Sequence, residues 1–271
     1  MKKIIVTPAG RQRYLEVLLQ NLLNNKNEFD IWELWVNTTD QNDIKYMRLI
    51  EKEHNFIRLK YSSIPINGNL SIYNFFKDCI DINSVYLRLD DDIVYCHPGS
   101  INNMFESRIN DESPFLYYGN IVNNSIITHL HQRMKIMPIT KIAQYNCMDS
   151  VGWKDPMFAQ EVHNNFFNKE KENSLDSYYI NDWLLYDYSR VSINVISWLG
   201  KTFAEFDGIV GHDEELWLSV DKPKSINKPN IIKGNTLFVH YSFYTQRPYL
   251  DTTNILEKYK LLSLKNSTYG I

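Results

Sequence analysis

Apolar residues change period along this chain, and the changes mark out its elements. Lys3-Ile4-Ile5-Val6 is a short apolar run that Thr7-Pro8-Ala9-Gly10-Arg11 breaks. Leu15, Leu18, Leu19, Leu22 and Leu23 then recur at helical spacing on one face, and Asn24-Asn25-Lys26-Asn27 ends that helix. Residues 31–36 form a second strand. Asp40 or Asn42 is placed to cap a helix through Ile44, Met47 and Ile50. Residues 56–61 alternate as a third strand, and Asn67-Gly68-Asn69 is a turn. Ser71 then opens a helix with Ile72, Phe75, Phe76 and Cys79 inward. Val85, Leu87 and Leu89 alternate with Tyr86 and Arg88, a strand predicted to persist through Asp90-Asp91-Asp92-Ile93-Val94. Pro98-Gly99 starts a helix with Ile101, Met104, Phe105 and Ile109 on its apolar face. Strand and helix thus alternate to about residue 110, which predicts an α/β fold with a mostly parallel sheet and crossover helices.

The pattern loosens afterwards. Residues 115–122 read as a strand. Residues 146–167 mix Gly152, Trp153, Asp155 and Pro156 with aromatics and read as loops around a cleft. Residues 168–177 are polar and charged, a solvated surface loop by composition and a candidate mobile loop. Residues 191–197 alternate like a strand. Residues 208–211 turn into His212-Asp213-Glu214-Glu215, which opens a helix carrying Leu216, Trp217 and Val220. Residues 235–241 are a last strand, and residues 250–262 a last helix. No internal repeat is visible. The expected organisation is a single domain, residues 1–271, with a regular half to about residue 112 and a less regular half beyond it.

Composition narrows the setting. Of 271 residues 44% are hydrophobic and 14% aromatic, enough for a large core. The net charge of −3 implies no general nucleic-acid affinity. Three widely spaced cysteines, Cys79, Cys96 and Cys147, fit neither a disulfide framework nor a zinc site and favour a reducing compartment. No run is long enough for a signal peptide or a transmembrane segment, so the expected location is cytoplasmic (host cytoplasm if the source is viral). The four Asn-x-Ser/Thr sequons, at Asn37, Asn69, Asn123 and Asn266, are then by-products of an Asn-rich chain.

The chemistry concentrates in Asp90-Asp91-Asp92. Adjacent carboxylates at the end of a buried strand repel and lose hydration, and a hard divalent ion such as Mg²⁺ or Mn²⁺ removes that penalty. With strand geometry kept, Asp90 and Asp92 share one side and Asp91 takes the other. Arg88 is the electrostatic partner for these carboxylates. His129-Leu130-His131 puts two histidines on one face of a strand, but no third ligand accompanies them. Asp213, Glu214 and Glu215 at a helix start would each favour the helix dipole without any catalysis.

Three separated elements resemble one family. Asn67-Gly68, Ser71, Asn74 and the strand into Asp90-Asp91-Asp92 are similar to the N-x-G … Asn … D-x-D run of GT-A glycosyltransferases, family 2-like. Gly211-His212-Asp213-Glu214-Glu215-Leu216 resembles their Glu-Asp-x-Asp/Glu-Leu motif, with His212 where Glu is usual. His240 resembles their C-terminal metal-site histidine. The resemblance implies a metal-dependent hexosyltransferase using Mn²⁺ or Mg²⁺, a nucleotide-sugar donor (UDP-sugar by default) and a glycan or glycoconjugate acceptor. It assigns Asp90, Asp92 and His240 to the metal and Asp213 to the general base of an inverting transfer, with Glu214 as the substitute one residue along. Thr7, Pro8, Gly10, Arg11, Asn37, Asn74, Asp90 and Asp91 are assigned to the nucleotide-sugar. Two other classes stay open. Asp90-Asp91-Asp92-Ile93-Val94 loosely fits the nucleophile motif of haloacid-dehalogenase-like phosphotransferases. Trp153, Trp183 and Trp198 would suit a non-catalytic glycan-binding module.

Overall fold

The computed structural model describes residues 1–137 and 140–267. In chain order the elements are β1 (Lys2–Ala9), α1 (Gln12–Asn24), β2 (Ile31–Val36), α2 (Gln41–Glu53), β3 (Ile57–Tyr61), β4 (Ser84–Leu89), β5 (Ile93–Cys96), α3 (Ser100–Asn110), β6 (Tyr117–Val122), α4 (Ser125–Arg133), α5 (Pro156–Lys171), β7 (Trp183–Leu185), β8 (Val195–Leu199), α6 (Gly200–Ala204), α7 (Glu214–Leu216), α8 (Lys222–Ser225), β9 (Asn230–His240), α9 (Arg247–Leu250) and α10 (Ile255–Ser267). One sheet collects the strands in the order β3-β2-β1-β4-β8-β6-β9-β5, with β7 also on β9. The pairs β3–β2, β2–β1 and β1–β4 are parallel. Beyond β4 the pairing is mixed: β8 is antiparallel to both β4 and β6, while β6 and β9 run parallel. Six strands, β1, β2, β3, β4, β6 and β9, therefore point one way, and helices flank the sheet.

Two buried clusters hold the layers together. Leu15, Leu18 and Leu22 of α1 join Trp32, Trp35, Phe75, Phe76 and Trp198 in one. Tyr14 and Val17, on another side of the same helix, join Phe158, Val162 and Phe166 of α5, with Tyr241 and Tyr259, in the other.

Several sequence expectations change. β1 runs on through Pro8 to Ala9, opposite Trp35 and Val36, because its pairing with β4 ends at Val6 and leaves room for a residue without an N–H. The segment after Ser71 is a 3₁₀ helix, Ile72–Asp78, with no side-chain cap from Ser71. Residues 146–167 are not all loop. Asp155 caps α5 through the N–H groups of Met157 and Phe158, and Pro156 takes its first turn. Asp-Pro before an apolar periodicity is a helix start, and Phe158, Val162 and Phe166 supply that periodicity. The polar stretch after it is the end of α5 followed by a 3₁₀ turn, Leu175–Tyr178. His129 and His131 lie on α4 rather than a strand, so they diverge: His129 Nδ1 donates to the Ala143 carbonyl, whereas His131 is buried against Asn120. Trp198 is wholly buried and stacks on Tyr86 and Phe203, which removes it from any glycan-facing surface. Asn123 of the third sequon is buried, and the fourth sequon runs to Thr268, outside the described residues.

Candidate active site

The three aspartates do not continue the strand. β4 stops at Leu89, and residues 90–92 form a tight turn in which the Ile93 N–H donates to the Asp90 carbonyl (3.1 Å). β4 and β5 stand four places apart in the sheet order. A flat sheet would separate them by about 19 Å, beyond the roughly 14 Å that the four residue steps from Leu89 to Ile93 can span. The sheet curls, and the turn closes it. The Asp90 N–H donates to the Asn194 carbonyl beside β8, and the Asp92 carbonyl accepts from the Tyr241 N–H after β9, both at 2.9 Å.

A turn aims consecutive side chains in three directions, so the expected pairing of Asp90 with Asp92 against Asp91 does not hold. Asp90 accepts from Arg88 Nε (2.8 Å) and Asn194 Nδ2 (3.1 Å). Asp91 is buried. It accepts from the Gly10 N–H (3.2 Å) and from Arg11 Nε and Nη2. Burial raises its pKa in spite of Arg11. Asp92 is buried as well, yet the guanidinium groups of Arg11 and Arg247 outweigh the loss of water and hold its carboxyl well below the usual range. Its Oδ2 accepts from Arg11 Nη2 (3.0 Å) and Arg247 Nη2 (3.2 Å), and its Oδ1 faces His240 Nε2 at 3.4 Å.

The orientation of His240 is fixed. Its Nδ1 lies 3.1 Å from the Asn123 carbonyl, which can only accept, so Nδ1 carries the hydrogen. In the neutral ring Nε2 then presents a lone pair to a carboxylate oxygen. Two acceptors face each other across a gap that a cation would fill. Asn123 turns its carbonyl onto the ring with a left-handed backbone (φ 62°), which asparagine tolerates better than most residues. Its amide donates to the Tyr241 carbonyl and to Gln246 Oε1.

The other assigned residues divide. Gly10 and Arg11 touch Asp91, and a Cβ at Gly10 would press on the Asn37 carbonyl at 3.1 Å. Thr7 is turned into the core, where its hydroxyl accepts from the Trp32 indole (2.9 Å), and Pro8 is buried in β1. Asn37 bonds the Gly68 carbonyl and Ser71 Oγ, and Asn74 bonds Ser63 Oγ. Both amides shape the loops around residues 62–71.

The second acidic run is divided as well. Asp213, with a half-exposed side chain, is held bidentate by Arg190 (2.9 and 3.0 Å) and also caps α7 through the Leu216 N–H (3.0 Å). Two of those bonds fall on Oδ1 and one on Oδ2 of the residue assigned to the general base, so three of its about four acceptor sites are taken. Glu215 takes Arg190 Nε (2.7 Å). Glu214 is buried: Oε1 accepts from Arg88 Nη1 (2.8 Å), and Oε2 has no hydrogen-bond partner among the described residues. Burial pushes its carboxyl up to about 7, although Arg88 opposes the shift. Arg88 therefore links Glu214 to Asp90 and joins the two acidic runs. Burial works against the Arg88 charge, but the two carboxylates raise its pKa above the ordinary value.

Sequence reasoning missed Arg247, Asn123, Asn194 and Arg190. Neither the sequon at Asn123 nor the alternating stretch around Asn194 points to this site, Arg190 and Arg247 stand in no motif, and each reaches the site only through tertiary folding. Two clefts, of about 220 Å³ beside Phe158 and Asn165 and about 280 Å³ beside Tyr95 and Asp176, are lined by none of these site residues.

No family profile and no curated protein matches this sequence. Solved structures do match its shape. A mannosyltransferase from Pyrobaculum calidifontis, in complex with GDP-Man and Mn²⁺, is similar over 99% of this chain and 75% of its own, at 8% identity and a TM-score of 0.52. GalNAc-T7 with UDP, GalNAc and Mn²⁺ is similar over 96% of this chain and 50% of its own, at 10% identity and a TM-score of 0.52. The fold is of the GT-A type. A CMP:2-keto-3-deoxy-manno-octonic acid synthetase complexed with CTP is similar over 98% of this chain and 99% of its own, at 10% identity and a TM-score of 0.50. The GT-A likeness thus extends to nucleotidyltransferases as well as glycosyltransferases. Within the GT-A frame, the aspartate turn lies at the carboxyl end of β4, where open α/β sheets receive ligands. Among the described residues no helix is long and apolar enough to cross a membrane.

Proposed function

We propose that this chain is a divalent-ion-dependent glycosyltransferase, moving a sugar from a nucleoside-diphosphate sugar to a hydroxyl of a glycan or glycoconjugate. The observation that carries the reading is the facing pair Asp92 Oδ1 and His240 Nε2, 3.4 Å apart and ringed by two arginines. Among the described residues no three Asp, Glu, His or Cys side chains converge to hold an ion by themselves. Two protein ligands suit Mn²⁺ or Mg²⁺ where substrate phosphates complete the shell, because such ions commonly use one or two side chains with phosphate and water. Asp92 and His240 are those ligands. Bound there, the ion supplies Lewis-acid neutralisation of the charge that grows on the leaving diphosphate. Asp90 keeps one side toward Arg88 and Asn194 and is one-fifth exposed, open to a donor hydroxyl.

The general base is Glu214 in place of Asp213. It has an unbonded oxygen and a pKa near neutrality, and it lies one guanidinium away from Asp90. Glu214 takes the acceptor's hydroxyl proton, the acceptor oxygen bonds the anomeric carbon, and the carbon–phosphate-oxygen bond breaks with its electron pair leaving on the nucleoside diphosphate. A single displacement of this kind inverts the anomeric configuration. A second reading, sugar activation by nucleotidyl transfer, draws support from the almost complete mutual coverage with the CMP-sugar synthetase. Product analysis separates the two. Chain plus Mn²⁺ is incubated with UDP-, GDP- and dTDP-sugars, and separately with CTP or UTP plus free sugars. Nucleoside diphosphate released from a sugar nucleotide supports transfer, and pyrophosphate released from a triphosphate overturns it in favour of nucleotidyl transfer.

A further inference from the structure

The arginines around Asp92 raise a question that the metal pair leaves open. Asp92 Oδ2 is held by Arg11 and Arg247, and Asp91 is held by Arg11 and the Gly10 N–H. The charge on these carboxylates is already compensated by the protein. A divalent ion arriving alone meets a carboxylate neutralised by two guanidinium groups, with their positive charge within ordinary ion-pair distance of its own seat. Coulombic repulsion across so few ångströms in a half-buried site is large.

We infer that Arg247 is an internal counter-ion that exchanges partners: it occupies Asp92 in the empty site and moves to the diphosphate when nucleotide binds, so that nucleotide and metal bind with strong positive coupling. This rests on the proposed nucleotide-sugar reading of the site. One feature singles out Arg247 as the group that moves, and two more permit the move. Arg11 is anchored by a second carboxylate, Asp91, whereas among the described residues Arg247 bonds no acidic side chain but Asp92, its other bonds being to Ser242 Oγ and the Ser242 carbonyl. The Arg247 side chain is about a quarter exposed, comparable to Arg11, so it has room to leave Asp92. Tyr14 provides a resting surface: the guanidinium carbons of Arg11 and Arg247 lie 4.8 and 5.9 Å from the centre of its buried ring. The ring holds Arg247 near the site after its bond to Asp92 is broken, which keeps the exchange short. Energetically the swap is balanced. Arg247 trades a carboxylate for a phosphate oxygen, and Asp92 trades a guanidinium for the ion, so no charge is left buried and alone. Either ligand by itself completes only half of the exchange. Reciprocity then requires the nucleotide to raise metal affinity by the same factor as the metal raises nucleotide affinity.

The experiment is calorimetry on the full chain with Mn²⁺ alone, with UDP, GDP or dTDP alone in EDTA, and with both together. The wild-type chain is expected to bind Mn²⁺ weakly alone and about tenfold or more tightly at saturating nucleotide, within the roughly 5–150-fold typical of coupled sites. Arg247→Gln should tighten Mn²⁺ alone and weaken nucleotide, so that the coupling falls towards unity. Arg13→Gln is the control. Its guanidinium also lies on Tyr14, at 4.5 Å, but it pairs with Asp251 and not with Asp92, so the coupling should stay as in the wild type. Thermal melting of both variants without ligand reports that they fold. Equal Mn²⁺ affinity with and without nucleotide in the wild type overturns the exchange while leaving a metal and nucleotide site. An equal change in Arg13→Gln and Arg247→Gln reduces it to net charge and also overturns it. No binding of any nucleotide with or without Mn²⁺ removes the nucleotide-sugar reading itself.

Discussion

The two acidic runs of this protein, residues 90–92 and residues 213–215, look alike as strings and differ as structures. In each, three consecutive carboxylates are sent to three environments. In the first run the turn after β4 buries Asp91 and Asp92 and surrounds them with Arg11, Arg247 and His240. In the second run the start of α7 exposes Asp213, ties it to Arg190, and buries only Glu214. The first run is ringed by guanidinium groups, with His240 beside Asp92. The second has one oxygen without a partner among the described residues and a raised pKa. Arg88 bonds one member of each and makes a single site of them. Carboxylate count alone therefore says little. What differs between neighbouring acids is the number of lone pairs the fold leaves free, and the proposed roles rest on that difference.

That comparison breaks most visibly at Asp92. Asp92→Asn removes the anionic half of the ion's seat and should lower Mn²⁺-dependent nucleotide affinity by about 100-fold or more, at the upper end of what mutations around metal sites cost. Turnover should vanish with it. Calorimetry with UDP, GDP and dTDP in Mn²⁺ and in EDTA checks this, and affinity unchanged from the wild type would move the metal elsewhere. Glu214→Gln tests the other run. Turnover should fall by roughly 10²–10⁴, the usual worth of a positioned general base, with donor affinity kept. Retention of anomeric configuration in the product, read by NMR, would end the single-displacement scheme.

A pH series sharpens the same contrast at a smaller scale. Glu214 keeps its proton to about pH 7 in the fold, whereas an ordinary glutamate loses it near 4.5. Between those values the folded state binds more protons than the unfolded one, so stability falls as pH rises. The stabilisation is complete below about pH 4.5 and is lost as pH climbs through 7, with a ceiling of about 3 kcal/mol. Urea unfolding of the wild type and Glu214→Gln at pH 5 and pH 8 measures it; the glutamine variant should lose most of the slope. The smallest effect belongs to Asp213→Asn. Asparagine caps a helix about as well as aspartate, so stability should change by under about 1 kcal/mol and turnover by less than threefold. A collapse of turnover in Asp213→Asn with activity intact in Glu214→Gln would return the base to Asp213.

The sequence carried the first half of the fold because its apolar periodicities are local: Leu15, Leu18 and Leu22 declare a helix face within one window, and residues 31–36 and 84–89 declare buried strands in the same way. It also pointed to the aspartate run, since three adjacent carboxylates beside a core demand cations whatever the fold, and the fold supplies arginines; His240, pointed to only by the family resemblance, lies beside Asp92. It misplaced α5, where the helix start at Asp155-Pro156 was legible but was overshadowed by the surrounding Gly, Trp and Asn residues. Tertiary structure alone decided the rest. Which of two neighbouring acids is buried depends on the first turn of α7. Which cations neutralise Asp92 depends on residues 81 positions before it and 155 positions after it. A charge is satisfied by whatever lies within a few ångströms of it, and that neighbourhood is created only when the sheet curls and brings β1, β4 and the end of β9 to one edge.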